Sequence, residues 1–336
     1  MPLRARAHNA PKHGRAAVLA LCAGVAFSSG ACAQAWPTRA VTMVVPYAAG
    51  GPVDILGRLL AGRLAEILGQ PVIVDNVTGA GGMTGTGRVA RTTPDGYQFV
   101  LGGIGTFAFI QTLFKRPMYN PVTDFAPVGL IAEQPLVLIT RKDLPAGTLN
   151  EFIAYARRNA ARMQFGSGGA GSAVHLGCVL LNTVIGVDVT HVPYRGSVFA
   201  ISDLIAGRID YMCDTVSTAL PHIQGNAVKA VATLARNRSS TLPDLPTAQE
   251  QGLTDFDAYV WNAFFFPKAT PEAAVRRLHH AISETLDTSS VRDRLAALGV
   301  SAVPPERRST EYLARFLPAE IDKWAAPIRA SGAAVE

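Results

Sequence analysis

Apolar residues along this chain alternate between the spacing of a strand and the spacing of a helix. Residues 41–46 form a short apolar run that predicts a buried strand. Residues 52–68 carry apolar side chains at every third or fourth position, which predicts a helix with one buried face. Three further segments continue the alternation, a strand at 71–77, a helix at 83–91 and a strand at 97–102. This β-α-β-α-β order predicts a parallel sheet covered by helices.

A second alternating set begins at residue 136. Residues 148–151 predict a capping box that opens a helix ending near residue 160. Further strands are predicted at 136–141, 163–166, 187–193, 210–213 and 229–233, and further helices at 173–185, 197–206 and 218–223. After a proline-rich turn, the chain is predicted to return to the first set through a strand at 259–266 and helices beginning at 271, 290 and 308.

The two sets predict an α/β protein with two lobes, each a mainly parallel sheet flanked by helices. Lobe 1 comprises residues 36–139 and 258–336, and lobe 2 comprises residues 140–257. Open α/β sheets bind ligands beyond the carboxyl ends of their strands. We therefore expect a ligand cleft between the lobes, formed by the loops that follow strands.

The first 35 residues have the pattern of a secretory signal peptide, with four basic residues before an apolar run at 16–27 that is too short to span a membrane. Cleavage is expected after Ala33 or Ala35. It would leave 27 of the 31 basic residues against 25 acidic ones, so the net charge falls from +6 to +2. The sequence therefore predicts an exported, periplasmic protein and gives no reason to expect nucleic acid as a partner.

Export would leave two of the four cysteines, Cys178 and Cys213, because Cys22 and Cys32 lie in the leader. An even pair in an oxidising compartment predicts one disulfide. The alternative is a pair of buried free thiols that behave as small hydrophobic side chains.

Two glycine-rich loops, at residues 46–54 and 166–172, each follow a predicted strand and precede a predicted helix. The first turn of a helix presents unpaired N–H groups and a partial positive charge, so each loop suits a carboxylate or a phosphate. Facing each other across a cleft, the two loops could hold both ends of a dicarboxylate. The alternative for the first loop is a tight turn in which Asp54 only complements the helix dipole.

The second loop also matches the G-x-G-x-x-G pattern of dinucleotide sites, but the nearest acidic residue, Asp188, lies at the wrong end of its strand. Serine-hydrolase, P-loop and zinc-ligand patterns do not occur in the sequence. His175, His191 and His222 lie near strand ends or helix starts, where a lone histidine is usually structural. We expect no enzymatic activity, no metal and no cofactor.

Six ordered motifs make the chain resemble the substrate-binding receptors of tripartite tricarboxylate transporters, also called the Bug receptor family. The motifs are WPTR at 36–39, PYAAGGPVD at 46–54, DNVTGAGGMTGTG at 75–87, TPDGY at 93–97, HVPYRG at 191–196 and LPDLPT at 242–247. The resemblance implies a periplasmic-binding-protein fold and a monomeric receptor that delivers a small organic acid to the membrane subunits of such a transporter. A periplasmic sensor for the same ligands, or less favourably a hydrolase, is the alternative.

The resemblance also implies ligand contacts, mostly from the two glycine loops. The implied ligand-binding residues are Tyr47, Ala49, Gly50, Gly51, Asp54, Thr106, Ser167, Gly168, Ala170, Gly171, Ser172, Tyr194 and Asp214. Backbone amides and bridging waters would hold the acid, and closure of the lobes about a hinge would trap it.

The chain departs from the family pattern after Thr106, where polar residues are usual. Phe107, Phe109 and Ile110 stand here instead. We therefore expect a more apolar pocket that admits a monocarboxylate or an aromatic acid as readily as a citrate-like acid. The alternative is that these side chains pack into the core of lobe 1.

Overall fold

The structure is a computed structural model that describes residues 36–330 and 332–333 of the 336-residue chain. The predicted signal peptide, its cleavage site, Cys22 and Cys32 lie outside the described residues. Within them, no helix combines the length and the apolar character needed to cross a membrane.

Ten α-helices occur in the described residues. They are α1 (Pro52–Leu68), α2 (Met83–Ala90), α3 (Ile110–Leu113), α4 (Leu149–Asn159), α5 (Ala173–Ile185), α6 (Ser197–Ile205), α7 (Val216–Gln224), α8 (Glu272–Asp287), α9 (Ser289–Ala297) and α10 (Thr310–Ala330). A π-helical turn, Gly105–Phe109, leads directly into α3. The bounds predicted for α1 and α5 agree with the structure, whereas the segment from 105 to 113 was not predicted.

Ten β-strands occur in the same residues. They are β1 (Val41–Val45), β2 (Val72–Asn76), β3 (Gln98–Gly103), β4 (Phe125–Arg141), β5 (Gln164–Ser167), β6 (Thr190–Pro193), β7 (Tyr211–Thr215), β8 (Val228–Thr233), β9 (Tyr259–Pro267) and β10 (Ser301–Ala302). The sheet order is β2-β1-β3-β9-β4-β7-β5-β6, and both β8 and β10 pair with β4. The short predicted strands are parallel, but β9 and β4 run antiparallel to their neighbours, so the sheet is mixed.

Strand β4 is 17 residues long because it belongs to two groups of strands. Residues 125–135 pair with β9, whereas residues 136–141 pair with β7 and β8. Pro135, which has no N–H to donate to a neighbouring strand, lies at this change of partner. We call β1, β2, β3, β9, β10 and residues 125–135 the first strand group, and β5 to β8 and residues 136–141 the second strand group. The predicted lobe boundaries at 139/140 and 257/258 fall close to this change, and they stay a prediction.

The side chains that follow Thr106 lie in the core of the first strand group. Phe107, Phe109 and Ile110 are each at most 2% exposed. The ring of Phe107 stacks on Phe265 with the centroids 3.7 Å apart. Packing into the core, rather than an apolar pocket, is therefore the alternative that the structure supports.

Local sequence explains where the helices that follow the loops begin and end. Helix α1 has Pro52 at its first position and stops at Gly69, which has a left-handed φ of 71°. Thr148 and Glu151 form the predicted capping box at the start of α4. In α5 the Ser172 hydroxyl accepts the amide of His175 as an N-cap.

The predicted disulfide is confirmed. Cys178 in α5 and Cys213 in β7 are bonded, with their Cα atoms 5.2 Å apart. Both side chains are fully buried. The bond fastens the helix that follows the second glycine loop to the strand beside it, so it helps to position that loop.

Candidate functional site

A cavity lies between the two strand groups, where the loops after their strands meet. Its volume is about 40 Å³, counted as the space open to the centre of a water molecule. Eighteen residues from both groups line it: Tyr47, Ala48, Gly51, Pro52, Val53, Gly103, Ile104, Gly105, Gln134, Gly168, Ser172, Ala173, Val174, Gly196, Ser197, Thr215, Val260 and Asn262.

Several helices start at this cavity. The first residues of α1, α5 and α6 line it, as does Thr215, the residue before α7. Gly105 contributes the start of the π-helical turn. Each helix start carries a partial positive charge and unpaired amides, so their convergence favours an anion.

Residues with free backbone donors line the cavity from both strand groups. The amides of Val53, Gly168, Val174 and Ser197 donate to no acceptor among the described residues. An unpaired amide that is cut off from water costs free energy, so a ligand that accepts these hydrogen bonds is favoured.

None of the eighteen residues that line the cavity is charged or is a histidine. Whatever binds here is therefore held by neutral donors and helix dipoles rather than by a salt bridge. The lining itself contributes little pH dependence across neutrality, because no lining side chain needs to gain or lose a proton.

Asp54 holds the first glycine loop in shape. Its carboxylate accepts the Gly50 amide at 2.8 Å, the Arg58 Nε at 2.9 Å and the Asn76 Nδ2 at 3.0 Å. Burial of the carboxyl opposes ionisation, but these hydrogen bonds prevail and lower the pKa of Asp54. The side chain is buried and does not line the cavity.

Two neighbouring histidines hold the second glycine loop. His175 Nδ1 accepts the Gly171 amide at 3.2 Å, and His191 Nε2 lies 2.7 Å from the Ser167 hydroxyl, which in turn accepts the Gly169 amide. The two imidazole rings lie 4.1 Å apart. Burial lowers the pKa of His191 to about 4, and burial together with the neighbouring His191 lowers that of His175 to about 3. Both rings are neutral at physiological pH; His175 accepts from the loop directly, and His191 is hydrogen-bonded to the loop through the Ser167 hydroxyl.

Asp214 lies behind the cavity at the end of β7. It is fully buried, its Oδ1 accepts the Thr215 amide at 2.8 Å, and its Oδ2 has no partner. Burial raises the pKa of Asp214 to about 6, although the Thr215 amide and the nearby hydroxyls of Thr218 and Ser197 oppose the rise. Because Thr215 and Ser197 also line the cavity, Asp214 adjoins the site without reaching it.

The residues predicted to bind ligand separate into three groups. Tyr47, Gly51, Gly168 and Ser172 line the cavity. Ala170 and Tyr194 lie in a groove outside it, which Tyr47 and Gly168 also border. The third group lines neither the cavity nor the groove; it consists of Ala49, Gly50, Asp54, Thr106, Ser167, Gly171 and Asp214.

Most of this last group have hydrogen bonds within the protein. The Gly50 and Gly171 amides bond to Asp54 and His175, and the Thr106 hydroxyl accepts the Gly103 amide at 3.1 Å. The Tyr194 hydroxyl, in the outer groove, donates to Asp203 at 2.8 Å. These residues shape the loops of the site.

Sequence reasoning missed the lining residues on the strands that join the two groups. Gln134 in β4 and Val260 and Asn262 in β9 line the cavity, and no local motif marks them. It also missed Gly196 and Ser197, although they follow a strand and open a helix as the two glycine loops do. That repeated strand-glycine-helix pattern was the signal that could have found them.

The two strand groups touch at the rim of the cavity. A Cβ atom at Gly81, in the first group, would overlap the carbonyl oxygen of Ala170 in the second. A Cβ at Gly196 would lie 2.8 Å from the Cβ of Ala48. Glycine at these positions allows the backbones to approach closely, so the cavity is enclosed.

Comparison with known proteins places this fold and site in context. The sequence model of the "Tripartite tricarboxylate transporter family receptor" matches residues 56–333. MatC from Rhodopseudomonas palustris, solved with bound malate, superimposes with a TM-score of 0.85 at 40% identity, over 87% of this chain and 100% of MatC.

Two further solved structures are similar. The periplasmic binding protein BugD gives a TM-score of 0.86 at 35% identity, over 90% of this chain and 100% of BugD. The Rpa4515 protein of R. palustris, solved with adipate, gives 0.84 at 33% identity, over 88% of this chain and 98% of that protein. The predicted periplasmic-binding-protein fold is confirmed by these likenesses.

Proposed function

This chain belongs to the tripartite tricarboxylate transporter family of receptors, and from this premise we propose that it captures a small organic acid through a carboxylate group. The ligand would lie in the enclosed cavity between the strand groups and would be handed to the membrane subunits of a transporter of this type. We propose that the protein binds its ligand without converting it.

One observation carries the proposal: the cavity offers unpaired amides at several helix starts and no charged side chain. This arrangement stabilises a carboxylate through hydrogen bonds and helix dipoles. The malate bound to MatC and the adipate bound to the Rpa4515 protein are both carboxylates, which supports the same ligand class here.

We further propose that binding is coupled to closure of two lobes, residues 36–139 with 258–336 and residues 140–257. Val53 presents its amide from one lobe, and Gly168, Val174 and Ser197 present theirs from the other. A ligand that bridges both sets favours the closed form over the open one. The closed form is the state that a transporter would recognise.

The buried Ser167 and His191 pair supports a receptor rather than a hydrolase. The Ser167 hydroxyl is fully buried, bonds to the Gly169 amide and does not line the cavity. It is therefore not placed to attack a ligand there. We propose a monomeric, periplasmic protein whose signal peptide is removed after Ala33 or Ala35.

A thermal-shift screen of ligand-stripped mature protein tests this function. A ligand that binds the folded state raises the melting temperature, by an amount that grows with concentration above Kd. We expect a rise with one or more small carboxylates. We expect it to vanish in Gly168→Val, because a Cβ at residue 168 lies 3.3 Å from the Ser197 amide and the added methyl groups would cover that donor. A rise with sugars or metals but with no carboxylate would contradict the proposal.

A further inference from the structure

Asp214 lies directly behind the wall of the cavity. It is the last residue but one of β7, and Thr215, which follows it, lines the cavity and leads into α7. Met212, two residues earlier and therefore on the same face of the strand, packs in a cluster with apolar residues of α6 and α7. The Asp214 carboxyl is thus held between β7 and the starts of these two helices, beside the hydroxyls of Ser197 and Thr218.

The Asp214 carboxyl has few partners for a buried acid. The residue is fully buried, Oδ1 accepts the Thr215 amide at 2.8 Å, and Oδ2 accepts no hydrogen bond. A buried carboxylate without a cation is stabilised by a proton, because the neutral acid costs less free energy to bury. Burial accordingly raises the pKa of Asp214 to about 6, so at pH 7.5 most ligand-free molecules carry it ionised.

The ionisable groups on the elements that pack against β7 do not neutralise Asp214. They are Glu133 and Arg141 in β4, His175 in α5, Asp203 in α6 and His222 in α7, together with Tyr211 in β7 itself, whereas β5 has none. Arg141 is paired with Asp210 at the other end of β7, and Asp203 with Arg208. His175 lies on α5, which the disulfide holds against the opposite face of β7. No charge on these elements contributes to the pKa of Asp214.

Hydroxyl groups connect Asp214 with the cavity. Thr215 Oγ1 lies 3.0 Å from Thr218 Oγ1 and 3.2 Å from Ser217 Oγ. Thr215 and Ser197 line the cavity, whereas Asp214 does not, so a ligand cannot supply the missing partner of Oδ2 by direct contact. A proton can reach this oxygen, because each hydroxyl is both a donor and an acceptor.

An anion in the cavity changes the balance between the two forms of Asp214. Two negative charges near each other in a site of low dielectric repel, so the anion raises the pKa of the acid behind the wall. The effect is reciprocal, since a proton on Asp214 strengthens anion binding by the same factor by which the anion strengthens proton binding.

We propose that Asp214 is a proton-binding site coupled to the ligand cavity, and that the receptor takes up a proton there when it binds the carboxylate of its ligand. The proton comes from the solvent and bonds to Oδ2, and no bond within the ligand changes. The inference rests on the proposed function, since it assumes an anion in the cavity. Ligand affinity then falls as the pH rises through the range in which the ligand-bound protein keeps this proton and the free protein has lost it.

Proton uptake is measured by calorimetry of malate and adipate binding at pH 7.5 in HEPES, imidazole and Tris, which are buffers without a carboxylate or a phosphate. Both acids are fully ionised at this pH, and the change of the observed heat with the ionisation enthalpy of the buffer gives the number of protons taken up. We expect about 0.3–1 proton per bound acid in wild-type protein. We also expect Kd to rise between pH 7 and 8.5, by up to about tenfold per pH unit.

The variant Asp214→Asn assigns the proton to this residue. Asparagine has nearly the shape of a protonated aspartic acid, keeps an oxygen for the Thr215 amide and does not ionise. We expect no proton uptake, a constant Kd from pH 7 to 8.5 and, at pH 8.5, binding at least about threefold tighter than in wild type. The matched control is Asp188→Asn, an exposed acid that does not line the cavity, which should keep the wild-type proton uptake.

An infrared difference spectrum of wild-type protein reports the same event without a variant. Adding adipate at pH 7.5 should produce the carbonyl band of a protonated carboxylic acid, which the ionised ligand does not give. This measurement decides the question even where Asp214→Asn fails to fold.

Three results would overturn the inference. They are wild-type protein that binds malate or adipate without proton uptake, binding without the infrared band, and an Asp214→Asn variant that takes up as many protons as wild type. All three leave carboxylate capture intact and refute only the role of Asp214. Binding of neither acid, together with a thermal shift by a ligand of another class, refutes the proposed function itself.

Discussion

The Asp54 carboxylate accepts the Gly50 amide at 2.8 Å, so the most conspicuous glycine of the first loop directs its donor into the protein. The Gly51 amide likewise donates to the Ala48 carbonyl. The donors left free for a ligand are in the first turn of α1, at Val53, rather than at these two glycines. The glycines let the chain turn, and the helix start supplies the donor.

Removing the Asp54 carboxylate should destabilise the first glycine loop. We predict that Asp54→Ala lowers the unfolding free energy by about 1–2 kcal/mol, because it removes the acceptor of the Gly50 amide and of the Arg58 guanidinium, whereas Asn76 Nδ2 keeps its bond to the Tyr47 carbonyl. Urea unfolding measures the change. The control is Glu66→Ala, which removes an exposed ion pair with Arg63 and should change stability by less than about 0.5 kcal/mol. Equal effects in the two variants would show that Asp54 does not support the loop.

Closure of the two lobes should require the close contact between Gly81 and Ala170. We predict that Gly81→Ala weakens carboxylate binding by about tenfold or more, since its Cβ would overlap the Ala170 carbonyl oxygen in the enclosed form. Calorimetry gives the affinity, and small-angle scattering shows whether the ligand still makes the protein compact. Gly207→Ala is the control, because Gly207 has a similar left-handed φ, 72° against 62° for Gly81, and a Cβ there meets nothing within 4 Å. Unchanged affinity in Gly81→Ala would contradict closure through this contact.

The buried histidines predict a pH dependence of stability. His191 has a pKa of about 4 in the folded protein, below its ordinary value of 6.5, so between these pH values the unfolded chain binds a proton that the folded chain does not. Stability is therefore lost as pH falls through this window. We predict that His191→Gln, which keeps a polar atom near the Nε2 position, makes the unfolding free energy less dependent on pH. Its slope against pH should fall by up to about 1.4 kcal/mol per pH unit.

Urea unfolding of both proteins at several pH values from 7 to 4 measures this difference. Asp214, whose raised pKa works in the opposite direction, is present in both and cancels in the comparison. Parallel curves for wild type and variant would show that His191 is not held neutral by the fold.

The disulfide should contribute to stability because it closes a loop between residues 35 positions apart. We predict that Cys178→Ala with Cys213→Ala lowers the unfolding free energy by about 2–4 kcal/mol, the usual range for such a crosslink. Since both sulfurs are buried, reductant should act on the native protein slowly. Two free thiols in unreduced, denatured protein would refute the bond.

Hydrophobic periodicity and turn signals were enough to predict most of the fold. The bounds of α1 and α5 follow from apolar spacing between a strong start and a glycine stop. Residues 125–135 could not be assigned to a strand in this way, because β4 is buried from both sides and contains Pro127 and Pro135, so alternation is lost. The π-helical turn was also not predictable, because all five of its residues are buried and they show no alternation of apolar and polar positions.

The site was predictable only where local sequence carries the chemistry. Gly51, Gly168 and Ser172 line the cavity because glycine-rich turns lead into helices there. Gln134 and Asn262 reach it through tertiary structure, since β4 and β9 pair across about 130 positions of sequence. The inward turn of Gly50 and Gly171 depends on Asp54 and His175, and no spacing rule reveals such side-chain acceptors in advance.

The measurement that tests the central claim most directly is a calorimetric comparison of succinate and adipate with their neutral diamides at pH 7.5. If amides at the helix starts hold an anion in an uncharged cavity, the better diacid should bind at least about 100-fold more tightly than its diamide, which differs in charge but hardly in shape. Equal binding of an acid and its diamide, or no binding of either acid, would contradict the account.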